Sequence, residues 1–164
     1  MKFNSVEQAI KFSFNMSERS EYTKSDPMKI RGTSQDDLSP TDLHAQAAMI
    51  QSMLDRLHPA ERSAVLALYG RGRARTEGIR GLTEFLWPNL SGSLPQKIDA
   101  QIVMMHWATK RPSIRAIADE RGVSYRQVCN WRSAVLRTWM PYVVRATERL
   151  HERMFGEDGF ELEQ

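Results

Sequence analysis

Cysteine is nearly missing from this chain: Cys129 is the only one among 164 residues. No internal disulfide is possible. The four histidines (His44, His58, His106, His151) are scattered, and no Cys/His pair stands at zinc-ligand spacing. Long apolar runs are missing too. Nothing approaches the roughly 18 consecutive apolar residues of a membrane span, and the N-terminal MKFNSVEQAIKF lacks the apolar core of a secretion signal. The expectation is a soluble protein of a reducing, cytoplasmic compartment with no membrane partner. No β-branched run alternates over strand length, which argues against a sheet. Catalytic signatures are equally scarce. GRGRAR (70–75) lacks the lysine and the preceding strand of a phosphate loop, and no serine sits in a nucleophile elbow. The paired acids Asp36-Asp37 and Asp119-Glu120 read as solvated charges. No enzyme is expected, and no metal or other cofactor.

What the sequence has is helical period, concentrated around the stretch from Ser113 to Arg137, SIRAIADERGVSYRQVCNWRSAVLR. Ile114, Ile117 and Ala118 fall at three- and four-residue spacing and share one helix face. Ala118 is small enough to let a second helix cross close by. Gly122 stands where the first helix must stop, because glycine takes the left-handed conformation cheaply. Val123 is the apolar plug of the turn, and Ser124 can cap a second helix by accepting a backbone N–H. Val128, Trp131 and Val135 mark that helix's buried face, while Tyr125, Arg126, Asn130 and Ser133 mark the opposite one.

This is a helix-turn-helix pattern. A second helix with polar and basic groups outward suits the major groove, where Arg and Asn make paired hydrogen bonds to guanine and adenine edges. The plain alternative is a helical hairpin whose polar face is only solvated. Charge favours the groove-reading version. Residues 106–154 carry 10 Lys and Arg against 4 Asp and Glu, a local net of +6, whereas the whole chain is only +3. Cys129 on the second helix reads as a small filler or base-edge neighbour.

The rest of the chain reads as all-α, seven or eight helices in one body of ordinary domain size. An amphipathic helix over 5–19 has Val6, Ile10, Phe14 and Phe3 on one face. An extended arm follows over 20–40, with Tyr22, Met28 and Ile30 available to pin it. Ser39-Pro40 opens a helix striped with Leu43, Ala47, Ile50, Met53, Leu54 and Leu57. Pro59 opens another, with Val65, Leu66, Leu68 and Tyr69 inward, ended by Gly70. Residues 70–75 read as a loop in which Arg71, Arg73 and Arg75 can grip phosphates or simply be solvated. A helix over 76–87 closes at Trp87-Pro88. The next, over 96–109, turns Ile98, Ile102, Met105 and Trp107 inward. Trp139-Met140-Pro141 breaks the chain, and Pro141 starts a last helix with Val143, Val144, Thr147, Leu150 and Met154 on its apolar side. The organisation is therefore an N-terminal helix and arm (1–39), a helical body (40–154) containing the helix-turn-helix (113–137), and a frayed acidic tail (155–164).

LHPAERSAVLALYG (57–70) resembles the helix that opens the sigma-factor domain reading the −35 promoter element, and residues 114–137 resemble that domain's closing helix-turn-helix. In sigma factors the two pieces are nearly adjacent; here residues 71–111 intervene. In size and layout the chain is more similar to the Q antitermination proteins of lambdoid phages. The helix after Pro59, TKRPS (109–113), IRAIADERGVSYRQV (114–128) and a basic C-terminal helix carry that resemblance. It implies a protein that binds double-stranded DNA beside a phage late promoter. Such a protein engages the paused RNA polymerase holoenzyme, then travels with polymerase past pauses and terminators. It further implies that Ser124, Tyr125, Arg126, Asn130 and Ser133 read DNA and that Lys110, Arg111, Arg115 and Arg132 contact phosphates. Arg71, Arg73 and Arg75 would lie near DNA or emerging RNA. A terminase small subunit, assembling as a ring, and a dimeric operator-binding repressor are the competing readings.

Overall fold

The computed structural model describes residues 3–23 and 39–156. Among them are seven α-helices and no strand: α1 (Val6–Thr23), α2 (Pro40–Asp55), α3 (Pro59–Tyr69), α4 (Gly72–Leu90), α5 (Lys97–Thr109), α6 (Ile114–Arg121) and α7 (Tyr125–Phe155). The protein is all-α, as its periodicity requires. No described helix is long and apolar enough to cross a membrane. The chain divides into two units, Met1–Leu57 with Thr147–Gln164, and His58–Ala146.

The first unit rests on α1 and α2. Ser5 caps α1, its Oγ accepting from Gln8 N at 3.2 Å. Val6, Ala9, Ile10, Phe14 and Met16 then fall on one buried stripe. Phe3 is only half-buried and packs on Phe12, ring centroids 5.3 Å apart. A capping box opens α2: Ser39 Oγ accepts from Asp42 N at 3.2 Å, and Ser39 N donates to Asp42 Oδ2 at 3.1 Å. Ala47, Ile50, Leu54 and Leu57 are buried, with Leu43 and Met53 at the margin. Between the two helices the buried Ser13 hydroxyl accepts from Gln51 Nε2 at 2.9 Å. Arg153 of α7 donates to the Met53 carbonyl at 3.3 Å.

The second unit has one continuous core. Ala64 and Ala67 of α3, Ile79, Leu82, Leu86 and Leu90 of α4, and Ala100, Val103 and Met104 of α5 pack with Ile117 and Ala118 of α6. Val128, Trp131, Val135, Trp139 and Val143 of α7 complete it. The α3–α4 contact is close because Gly78 leaves room for the Leu66–Ala67 backbone.

Four expectations are corrected. The first helix runs to Thr23 rather than Arg19, which shortens the arm; its residues 24–38, with Met28 and Ile30, and the tail 157–164 lie outside the described residues. Residues 72–75 are the first turn of α4, not loop, and Pro88 lies inside that helix, which ends at Leu90. In α5 the buried face is Asp99, Ala100, Val103 and Met104; Ile98 is exposed, and Ile102, Met105 and Trp107 are only half-buried. Finally, Pro141 does not break the chain: α7 continues through it, because Trp139 and Val143 on either side are both held in the core.

Candidate nucleic-acid interface

The end of α5, the 110–113 segment, α6, the turn 122–124 and the start of α7 make one surface, built by local rules. Lys110 ends α5 in the left-handed conformation (φ 62°). Thr109 Oγ1 then ties the following segment, donating to the Arg111 carbonyl at 2.8 Å and accepting from Arg111 N at 3.2 Å. His106 Nδ1 lies 2.7 Å from the Pro112 carbonyl. Ser113 caps α6 by accepting from Ala116 N at 3.2 Å. Gly122 leaves α6 at φ 64°, and two backbone bonds close the helix end: Val123 N to the Ala118 carbonyl at 3.0 Å, and Gly122 N to the Asp119 carbonyl at 3.3 Å. This is a Schellman closure, which satisfies carbonyls that the helix end leaves open. Val123 plugs the turn against the core, and Ser124 caps α7 by accepting from Gln127 N at 3.1 Å.

With the turn fixed, the faces of α7 follow. Val128, Trp131 and Val135 are buried. Tyr125, Arg126, Asn130 and Ser133 are exposed, Tyr125 at 55%. The hydroxyls of Ser124 and Ser133 are both engaged within the protein, Ser133 donating to the Cys129 carbonyl at 3.1 Å. Arg126 and Asn130, one helical turn apart, are both exposed on this face. Arg111, just before α6, and Arg115, in its first turn, are exposed. Lys110 and Arg132 are placed differently: both lie over the ring of Trp107, at 4.4 and 5.2 Å from its centroid.

A buried carboxylate holds the surface from behind, and sequence reasoning did not find it. Asp99 is 1% exposed, and both its oxygens are engaged. Oδ2 accepts from Gln96 N at 3.0 Å and starts α5; Oδ1 accepts from Arg121 Nε at 2.6 Å. Arg121 also donates from Nη2 to Gln96 Oε1 at 3.0 Å. The last residue of α6 is thereby tied to the first turn of α5. The three-residue spacing of Gln96 and Asp99 was the available signal.

Arg71, Arg73 and Arg75 lie elsewhere, at the α3–α4 junction. Arg73 is paired with Glu77 at 2.7 Å, and Arg75 donates to the Leu68 carbonyl at 3.4 Å. Burial, and then the charge of Arg71, push the Arg75 guanidinium below its ordinary pKa. Among the described residues no three His, Cys, Asp or Glu side chains gather as metal ligands. Compared with known families and curated proteins, the chain matches no family model and no curated sequence.

Proposed function

We propose that this chain is a sequence-specific DNA-binding transcription regulator, and that its particular task is antitermination. One observation carries the DNA reading: a capped, glycine-turned α7 that buries Val128, Trp131 and Val135 while holding Arg126 and Asn130 outward on adjacent turns. That arrangement suits insertion of α7 into a major groove, Arg126 toward guanine and Asn130 toward adenine, with Arg111 and Arg115 on flanking phosphates. The antitermination role rests on the resemblance of residues 57–70 and 114–137 to promoter-reading proteins and of the whole layout to phage Q proteins. In that role the protein acts in the host cytoplasm, loads beside a late promoter, and passes to RNA polymerase holoenzyme paused downstream.

The test is transcription with purified polymerase from a phage late promoter followed by a terminator. Readthrough that requires both the protein and a DNA element upstream of the terminator is the expected result. DNA binding without readthrough would leave the regulator reading standing and overturn antitermination. Solution mass then separates a ring-forming packaging adaptor from a dimeric repressor. Failure to bind any duplex would overturn both.

A further inference from the structure

We infer that Lys110 and Arg132, both lying over the indole of Trp107, form a phosphate-binding clamp in which Trp107 is the positioning residue. The inference deepens the DNA reading and takes from it only the source of the phosphate. The two cations come from different elements, the C-terminal cap of α5 and the second turn of α7, yet converge on one ring at 4.4 and 5.2 Å. A tryptophan face attracts cations through its negative quadrupole, so it can hold two side chains that repel one another.

Among the described residues no carboxylate pairs with Lys110 or Arg132. Arg121 and Arg73, by contrast, are each matched to an acid. Among the described residues the Arg132 side chain makes no hydrogen bond. Its Nε is buried without a hydrogen-bond partner. A guanidinium held over a ring, with no acid partner among the described residues, keeps forked donors of the kind that phosphate oxygens fit. Lys110 brings the second charge from a left-handed backbone conformation that lysine adopts only at a cost. Strain of that kind persists where the surroundings over-determine it. Arg111 follows Lys110 directly and is exposed.

The ligand chemistry is a phosphate group, and its two sources are a duplex backbone and free phosphate. The experiment uses the full chain with three variants, Lys110→Gln, Arg132→Gln and Trp107→Leu, and Trp107→Phe as the conservative rescue. Each is titrated with a duplex of random sequence across a range of salt, and separately with inorganic phosphate while indole emission is followed. Thermal melts identify any variant that has lost its fold. The expected result is a loss of about threefold to tenfold in random-duplex affinity for each of the three variants. The slope of log affinity against log salt should fall by about one for either cation variant. Trp107→Phe should retain wild-type binding, because a phenyl face still holds both cations.

An unchanged salt slope in folded Lys110→Gln and Arg132→Gln, or unchanged affinity in folded Trp107→Leu, would overturn the clamp while leaving the DNA reading intact. Inorganic phosphate that changes emission in the wild type but not in Lys110→Gln, with no duplex binding, would support the clamp and overturn the DNA reading. No response to either probe would overturn both.

Discussion

Asp99 is the residue on which the most geometry converges. Its carboxylate starts α5 through Gln96 N and holds the end of α6 through Arg121, whose side chain is 28% exposed. Removing a buried acid deletes both bonds and leaves a half-buried guanidinium without its partner. Asp99→Ala should therefore cost about 2–4 kcal/mol in urea unfolding. In a double-mutant cycle with Arg121→Ala the pair should be non-additive by about 1 kcal/mol or more. Additive losses would mean that the ion pair does not hold α6 in place. Asp42 works on the other unit and in the open. Hydrogen bonds from the Ser39 side chain and backbone hold its carboxyl below the ordinary value of 3.8. Because the folded pKa is the lower one, the contribution of this cap is present above the unfolded value and is lost as pH falls through the folded one. Acidification should loosen the first turn of α2, read by amide hydrogen exchange, and Asp42→Asn should remove that pH dependence. An unchanged acid response in Asp42→Asn would place the titrating group elsewhere. Residues such as Gly122 and Ser124 were legible in the sequence because their chemistry is local: a left-handed stop and a hydroxyl cap. Asp99 was not, since its role is written in the partner 22 positions away.

At the scale of whole elements, two substitutions separate local propensity from packing. Alanine is ordinarily better than glycine inside a helix by about 1 kcal/mol. At Gly78 an added Cβ would stand 2.5 Å from Ala67 N and 2.6 Å from Leu66 Cβ, against the α3 backbone. Gly78→Ala should destabilise by about 1–2 kcal/mol despite its propensity, because α3 and α4 must separate. Gly81→Ala is the control. Its Cβ meets only the Ser63 side chain, which can rotate, so the change should be neutral or stabilising. Equal effects at the two sites would contradict the close α3–α4 approach. Pro141 is the opposite case. It is exposed and sits inside α7, where it removes one backbone bond at a cost of up to about 3 kcal/mol. Pro141→Ala should raise stability by about 1–3 kcal/mol and slow hydrogen exchange in the surrounding turn. A loss of stability would mean that the packing of Trp139 and Val143 depends on the proline's geometry. The same balance explains why the sequence misplaced a helix break there: the local penalty is visible, whereas burial of Trp139 and Val143 on either side is not. For α5 the difficulty was ambiguity. Ile98, Ile102 and Met105 form one apolar line and Ala100, Val103 and Met104 another, and the acidic Asp99 belongs to the buried one.

For the molecule as a whole, the proposed DNA reading predicts a division of work between positional charge and base contact. The net charge of +3 is modest, and residues 106–154 carry the excess of +6. Nonspecific attraction to DNA should therefore come from that segment, where each phosphate contact releases counterions. Arg111→Ala and Arg115→Ala should each weaken cognate and random duplexes alike, lowering the salt slope by about one. Arg126→Ala and Asn130→Ala should each cost about 1–3 kcal/mol on the cognate site, with little loss on random DNA. Both readings draw on features legible in sequence, since exposure on α7 follows from the placement of Val128, Trp131 and Val135 inward. What sequence could not give was the division among the basic residues. Arg73 is spent on Glu77 and Arg121 on Asp99, which leaves Arg111, Arg115 and Arg126 outward and without an acid partner among the described residues. Titrating the four variants on both duplexes across salt would decide the matter. If Arg126→Ala and Asn130→Ala weaken random DNA as much as the cognate site, α7 rides the phosphate backbone and the sequence reader lies on another element. If they weaken only the cognate site while Arg111→Ala and Arg115→Ala lower the slope, α7 reads the groove and the α5–α6 segment grips its walls.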